Sequence, residues 1–222
     1  MVGLRLRVAA AIALMLLAAA PADADNAPAP TSDKAAANVE ACGMASTPEL
    51  KIAACTAAIS SGQLDPPNAA RALNNRGNAY LALGQLDKAI SDYTNSIQIA
   101  PSAVAFFNRG NAYLKKEKYD LAEKDYTDAL KLDPTLVDAL INRGVTFTNR
   151  GQYDRAIEDY NEALRLRPNF ATAYVKRGTA YFGKGDLTKA MQDYDEALRL
   201  EPTNAQAADM KQRAQAAQKG KH

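Results

Sequence analysis

Four copies of one short pattern, set 34 residues apart, constrain this chain more than any other feature of its sequence. Arg76-Gly77-Asn78-Ala79-Tyr80 recurs as Arg109-Gly110-Asn111-Ala112-Tyr113, as Arg143-Gly144-Val145-Thr146-Phe147 and as Arg177-Gly178-Thr179-Ala180-Tyr181. Twelve residues after each Gly stands an Ala (Ala89, Ala122, Ala156, Ala190), and twelve further a Pro (Pro101, Pro134, Pro168, Pro202). One residue is missing from this spacing between Pro101 and Gly110. A repeat of this length is one supersecondary unit that cannot bury its apolar face alone, so the copies must stack.

Each column has a physical reason in a helical hairpin. Gly77 and its equivalents lack a Cβ, which lets the second helix approach at the small Ala89 column. The aromatic residues of the Tyr80 column and of Tyr93, Tyr126, Tyr160 and Tyr194 fill the space around that contact. Gly84, Gly151 and Gly185 end first helices, as C-terminal caps do. Glu117 holds that place in the second copy, so its hairpin turns less tightly or its first helix runs on. The Pro column breaks each second helix and sets the dihedral that opens the next.

Gly, an aromatic three residues on, Ala, an aromatic four residues on and a closing Pro resemble the tetratricopeptide repeat over about 70–204. The column that often opens that motif with Trp holds Leu73, Phe106, Leu140 and Tyr174 here. The resemblance implies an all-α fold, a right-handed superhelical α-solenoid of stacked antiparallel hairpins. Its units are expected at 70–102, 103–136, 137–170 and 171–204. A helix within 205–222 should cap the last unit, with Ala205, Ala208 and Met210 toward the protein and Asp209, Lys211 and Arg213 toward water. The tail Lys219–His222 should fray.

Two charged columns accompany the motif. Arg76, Arg109, Arg143 and Arg177 occupy a place where the family more often carries an apolar residue. Asp92, Asp125, Asp159 and Asp193 form the other. In an antiparallel hairpin contact pairs sum to a constant, so Arg76 lies close to Asp92. The spacing predicts the pairs Arg76-Asp92, Arg109-Asp125, Arg143-Asp159 and Arg177-Asp193. Two roles fit them: partly buried ion pairs that set register, or an Arg ladder gripping a carboxylate or phosphate. Each Arg arrives with its own acid, which favours the first. The tyrosines likewise read as core rather than as a cation site, because one column repeats at the repeat period.

In the repeat family the first helices line an inner groove that holds a peptide or helix. Helical spacing places Asn74, Asn78, Phe107, Asn108, Asn111, Leu114, Ile141, Asn142, Val145, Val175 and Phe182 along it. Phe107, Leu114, Ile141, Val145, Val175 and Phe182 would form an apolar strip, and contiguous apolar surface marks an interface. Asn78, Asn108, Asn111 and Asn142 would hold a partner's backbone amides. Members that clamp a C-terminal carboxylate use Lys or Arg beside such asparagines. Asn74, Phe107 and Ile141 stand there instead, so that clamp is absent or much altered.

Residues 1–24 read as a signal peptide. Arg5 and Arg7 precede an uncharged apolar run, Val8 to Ala20, and Ala20-Pro21-Ala22 or Ala22-Asp23-Ala24 supplies the cleavage site. A 13-residue run spans about 20 Å as a helix, short of a hydrocarbon core of about 30 Å. The expected destination is the periplasm or the exterior, with no stable membrane insertion after cleavage near Ala22 or Ala24. Residues 25–37 read as a disordered leader.

Cys42 and Cys55 are the only cysteines, which in an exported chain suggests a disulfide stapling a helical hairpin within 38–69. Pro48 begins its second arm, and Ile52, Cys55 and Ile59 share a face. The closed loop of about 14 residues contributes about 3 kcal/mol in the chain-entropy model.

Removing Arg5 and Arg7 leaves the mature chain near neutral, without the basic stripe that nucleic acid requires. The only His is His222, and nothing resembles a phosphate loop, so no catalytic site, cofactor or metal is expected. Two functional readings remain. One is a non-catalytic adaptor that takes a partner's peptide or helix in the groove. The other is a self-associating scaffold, a homo-oligomer whose groove is covered by another copy or by its own terminal segment.

Overall fold

The computed structural model describes residues 39–220; the signal and leader segments, 1–24 and 25–37, lie outside them. A short helix α1 (described over 39–44) is followed by α2 (Pro48–Ser60), α3 (Pro66–Ala82), α4 (Leu86–Ile99) and α5 (Ala103–Lys115). Then come α6 (Tyr119–Leu132), α7 (Val137–Asn149), α8 (Tyr153–Leu166), α9 (Ala171–Lys184), α10 (Leu187–Leu200) and α11 (Ala205–Lys219). The fold is an all-α superhelical solenoid. Hairpins α3–α4, α5–α6, α7–α8 and α9–α10 form units 1 to 4. The first helix begins at Pro66 rather than near 70, because Asp65 accepts a hydrogen bond from Asn68 N at 2.9 Å and caps it.

The first helices touch one another in succession, α3 to α5, α5 to α7, α7 to α9 and α9 to α11. Among the described residues no two second helices do. The first helices therefore form the inner wall and the second helices fan apart outside, which is the curvature of a solenoid.

Within each hairpin the atoms nearest to each Gly of the repeat belong to the second-helix tyrosine. A Cβ on Gly77, Gly110, Gly144 or Gly178 would lie 2.6 to 2.8 Å from Cε1 of Tyr93, Tyr126, Tyr160 or Tyr194. Each Gly is the seat of a buried tyrosine ring, and the Ala89 column is fully buried beside it.

The turn at Glu117 follows neither alternative. Helix α5 ends where its counterparts end, and Lys118 N donates to Tyr113 O at 2.9 Å, as Gln85, Gln152 and Asp186 do to Tyr80, Phe147 and Tyr181. Glu117 instead adopts the left-handed conformation, φ 56°, that Gly84, Gly151 and Gly185 hold. The Pro column stops each second helix as expected, one residue past its C-cap, but does not open the next helix. Pro101, Pro134, Pro168 and Pro202 lie in the linkers, and Ser102 and Asn204 cap the helices after the first and last of them.

The N-terminal hairpin α1–α2 is a fifth unit in the same register. Cys42 and Cys55 are joined, with Cα atoms 4.6 Å apart, and both are buried. Counted from the helix ends, Cys42 occupies the Tyr80 column and Cys55 the Tyr93 column. The 13-residue separation of the bridge equals that of each aromatic pair. Val39 takes the Gly77 place, Thr56 the Thr94 place, and buried Ala58 the place of Ala129, Ala163 and Ala197.

At the other end α11 packs as the first helix of a further, incomplete unit. The buried contacts are Ala207 and Ala214, in the columns of Ala173 and Ala180; Ala205 is exposed, while Ala208 and Met210 are half-buried. Lys211 does not simply face water: its Nζ lies 2.5 Å from Asp195 Oδ1 on α10. Arg213 pairs with Asp209 at 2.9 Å on the solvent side.

Candidate partner-binding groove

The structure brings the Arg and Asp columns together in all four predicted pairs. Arg76 Nε and Nη2 donate to the two carboxylate oxygens of Asp92, each at 2.8 Å. Arg109 holds Asp125 at 2.8 and 2.8 Å, Arg143 holds Asp159 at 2.9 and 2.7 Å, and Arg177 holds Asp193 at 2.9 and 2.7 Å. These forks are bidentate and the four carboxylates are buried. Hydrogen bonds to the aspartates raise each guanidinium pKa above its ordinary value. Burial pushes the carboxyls of Asp159 and Asp193 up, against the pull of their arginines.

The remaining guanidinium nitrogen of each Arg reaches the preceding unit. Nη1 of Arg76, Arg109 and Arg143 donates to Thr56, Thr94 and Thr127 Oγ1 at 3.0, 3.1 and 3.1 Å, and that of Arg177 to Asn161 Oδ1 at 2.7 Å. Each Arg thus ties its hairpin together and docks it on the one before. With Nε, Nη1 and Nη2 engaged inside the solenoid, these side chains are framework rather than a ladder for a ligand. A second set of inter-unit pairs runs along the turns: Lys116 with Asp87, Arg150 with Asp120 and Glu123, and Lys184 with Asp154.

The inner wall divides into an open part and a covered part. In units 1 and 2 it carries exposed Asn78 with half-buried Asn74, Phe107, Asn108, Asn111 and Leu114; Asn142 and Val145 of unit 3 are also half-buried. Asn78 Oδ1 accepts from Tyr93 Oη at 2.7 Å, and Asn111 Oδ1 from Tyr126 Oη at 2.8 Å. Asn142 Nδ2 donates to Asn111 Oδ1 at 2.8 Å, and Asn108 Nδ2 to Asn74 Oδ1 at 3.1 Å. Both amides of Asn78 and Asn111 are oriented from below by buried tyrosines, which leaves their Nδ2 groups free to donate into the groove. Burial raises the pKa of Tyr93, Tyr126 and Tyr160, so these hydroxyls stay protonated donors. The Phe107 ring lies 6.0 Å from that of Tyr126 and packs on the core of units 2 and 3.

Two residues expected on the strip are not on open surface. Ile141 is 6 % exposed and belongs to the core shared by units 2 and 3, and Val175 is 2 % exposed among Ala171, Ala197 and Ala207. Phe182 packs with Tyr194, Met210 and Ala214. The physical reason is superhelical stacking. Helix α11 continues the inner wall and packs on unit 4, and Ile141 is drawn into the core shared by neighbouring units; neither burial is written in the period of a single repeat. Tyr194 Oη, in the column where Tyr93 and Tyr126 meet Asn, is buried beside Thr179 without a hydrogen bond of good geometry; the shorter Thr179 hydroxyl donates to Val175 O at 2.8 Å.

Among the described residues no group of three His, Cys, Asp or Glu side chains could hold a metal ion. No described helix is long and apolar enough to cross a membrane.

Family models of the tetratricopeptide repeat match residues 70–102, 103–136, 125–158 and 171–204, and a TPR repeat model matches 146–185, leaving no gap from 70 to 204. No curated protein matches the chain. Among solved structures, MamA is similar at 27 % identity over 71 % of this chain and 91 % of that one, with a TM-score of 0.64. YrrB, described as a TPR protein with an unusual peptide-binding site, shares the fold at 23 % identity and a TM-score of 0.65, over 74 % of this chain and 84 % of its own. The first TPR of Spaghetti (RPAP3), bound to the HSP90 peptide SRMEEVD, is 32 % identical over 52 % of this chain and 92 % of that one, with a TM-score of 0.51. Repeats of this kind are generally interaction modules without catalytic chemistry. With its repeated Gly, Tyr, Ala and Pro columns, its stacked hairpins and these matches, the chain belongs to the tetratricopeptide-repeat family.

Proposed function

We propose that this protein is an exported, non-catalytic adaptor of the bacterial cell envelope that binds a peptide or helix of another protein across the inner wall of units 1 to 3. The observation that carries the reading is the open stretch from Asn78 to Val145. There, amides held by buried tyrosine hydroxyls lie beside the half-exposed apolar side chains of Phe107, Leu114 and Val145. Amide groups fixed in direction suit a partner's main chain, and the apolar side chains supply area to bury. The peptide-bound relative, RPAP3 with SRMEEVD, supports a peptide as the ligand class. Export rests on the signal-like segment 1–24 and on the closed disulfide, which suits an oxidising compartment.

A photo-crosslinking residue at position 114, placed in the living cell, tests this. Capture of a different envelope protein is expected. It should disappear with Val145→Glu in the groove and persist with Lys124→Glu on the outer surface. Capture of a second copy alone would replace the adaptor with the self-associating scaffold. One observation lends that second reading weight: the protein already covers unit 4 with its own α11.

A further inference from the structure

The chain is near neutral as a whole, yet the fold sorts its charges. Of the acidic side chains on the helices of units 1 to 4, only Asp138 stands on a first helix. All the others stand on second helices, on the outer side of the solenoid. The first helices carry bases instead. Their four fork arginines are neutralised by buried aspartates, and Lys184 is paired with Asp154. Arg71, Lys115 and Lys176 remain.

Arg71 and Lys115 are exposed on α3 and α5, and half-buried Lys176 stands in the column of Asn108 and Asn142. Lys51 joins them from α2. It is half-buried and lines, with Asn78, Ala45 and Ala82, a cleft of about 220 Å³ between the α1–α2 turn and α3. Tyr93 occupies the Oδ1 of Asn78, which leaves Nδ2 to donate beside Lys51. Among the described residues no carboxylate lies within 4.0 Å of any of these four cations. The cations along the turns, Lys116, Arg150 and Lys184, each have one.

We propose that the inner wall selects an acidic internal segment of a partner protein, whose side-chain carboxylates meet Lys51, Arg71, Lys115 and Lys176 while its apolar residues lie on Phe107, Leu114 and Val145. This selection rests on the groove reading above and supplies the charge of the ligand. Four cations against the single Asp138 make the inner face positive, and the second-helix acids make the outer face negative. An acidic segment is therefore drawn to the groove and repelled from the back. The cations stand on four different hairpins, one each on α2, α3, α5 and α9, so carboxylates spread along a segment fit them, whereas a lone terminal carboxylate meets one. Apolar side chains lie between them, which suits a polypeptide better than the evenly and closely spaced charges of a phosphate backbone.

Fluorescence anisotropy of labelled, C-terminally amidated peptides with the full mature chain reads the selection. One peptide alternates Asp and Glu with Leu and Phe, and its counterpart has Lys at every acid. The acidic peptide should bind about tenfold tighter at low salt, with the gap narrowing as salt screens it. Lys51→Gln, Lys115→Gln and Lys176→Gln should each weaken it about threefold, and Lys124→Gln on the outer surface should not. The neutral groove variant Val145→Gln should weaken it as well. Equal binding of the two peptides, still weakened by Val145→Gln, would overturn the charge selection and leave the groove standing. Acidic binding that ignores Val145→Gln, or no binding of the acidic peptide, would overturn both. Binding that needs a free C-terminal carboxylate, or an oligonucleotide of equal charge held more tightly than the acidic peptide, would overturn the acidic internal segment as the ligand.

Discussion

Replacing Arg143 by Met tests whether the Arg–Asp forks are framework. The substitution keeps the length of the stem and removes the guanidinium. Asp159, whose side chain is 8 % exposed, then loses two charge-assisted hydrogen bonds of 2.9 and 2.7 Å, and Thr127 loses its donor. Stranding a buried charge costs about 3 to 5 kcal/mol. Arg143 itself is 21 % exposed, so water can reach one side of the vacated site, and the low end, about 3 kcal/mol, is expected. Arg143→Met/Asp159→Leu removes both charges and should recover most of the loss, to within about 1 kcal/mol of the parent.

Urea unfolding followed by far-ultraviolet circular dichroism gives the comparison. With a slope of about 2 kcal/mol/M, the single variant should unfold at a midpoint lower by about 1.5 M and the double variant by under about 0.5 M. The reasoning is refuted if Arg143→Met costs less than about 1 kcal/mol, or if the double variant is as damaged as the single. A single variant of parental stability that no longer captures a partner would instead return the Arg column to the ligand.

Three further outcomes follow from particular side chains. Glu117→Gly relieves a left-handed residue with a side chain and should stabilise the protein by about 0.5 to 1 kcal/mol, seen as a higher urea midpoint. Thr179→Asn should give the buried Tyr194 hydroxyl the acceptor that Tyr93 and Tyr126 have, a gain of about 1 kcal/mol on the same assay; a loss would show that α11 leaves no room for the amide. Burial raises the pKa of Tyr93, Tyr126, Tyr160 and Tyr194 above the ordinary value of about 10. Stability tied to these groups is therefore complete below that pH and is lost as pH rises beyond it. Phenolate absorbance should show four of the ten tyrosines ionising only as the fold opens, and smooth titration of all ten in the native protein would contradict the burial.

Much of the architecture was legible because a repeat states its own internal contacts several times. Gly, Tyr, Ala and Pro at a fixed period identify a helical hairpin. Arg and Asp columns at a fixed offset identify a pair across it, and two cysteines in a hairpin of their own identify a staple. Each of these depends on helical spacing within one unit, which sequence distance encodes directly.

Contacts between units are different. The third hydrogen bond of each Arg goes to the helix before it, Ile141 is buried in the core shared by neighbouring units, and α11 covers Val175. Those depend on the angle at which one hairpin lies on the next, a small rotation accumulated through side-chain packing that no column records. The N-terminal unit stayed hidden for a related reason. Its cysteines, Val39 and Ala54 share no residue type with the columns they occupy, and only the stacked helices show that a disulfide stands where the other units have two aromatic rings. By itself the sequence determined what each hairpin is. The packing of one hairpin on another decided which part of the inner wall remains open to a partner, because burial belongs to the stack and not to the repeat.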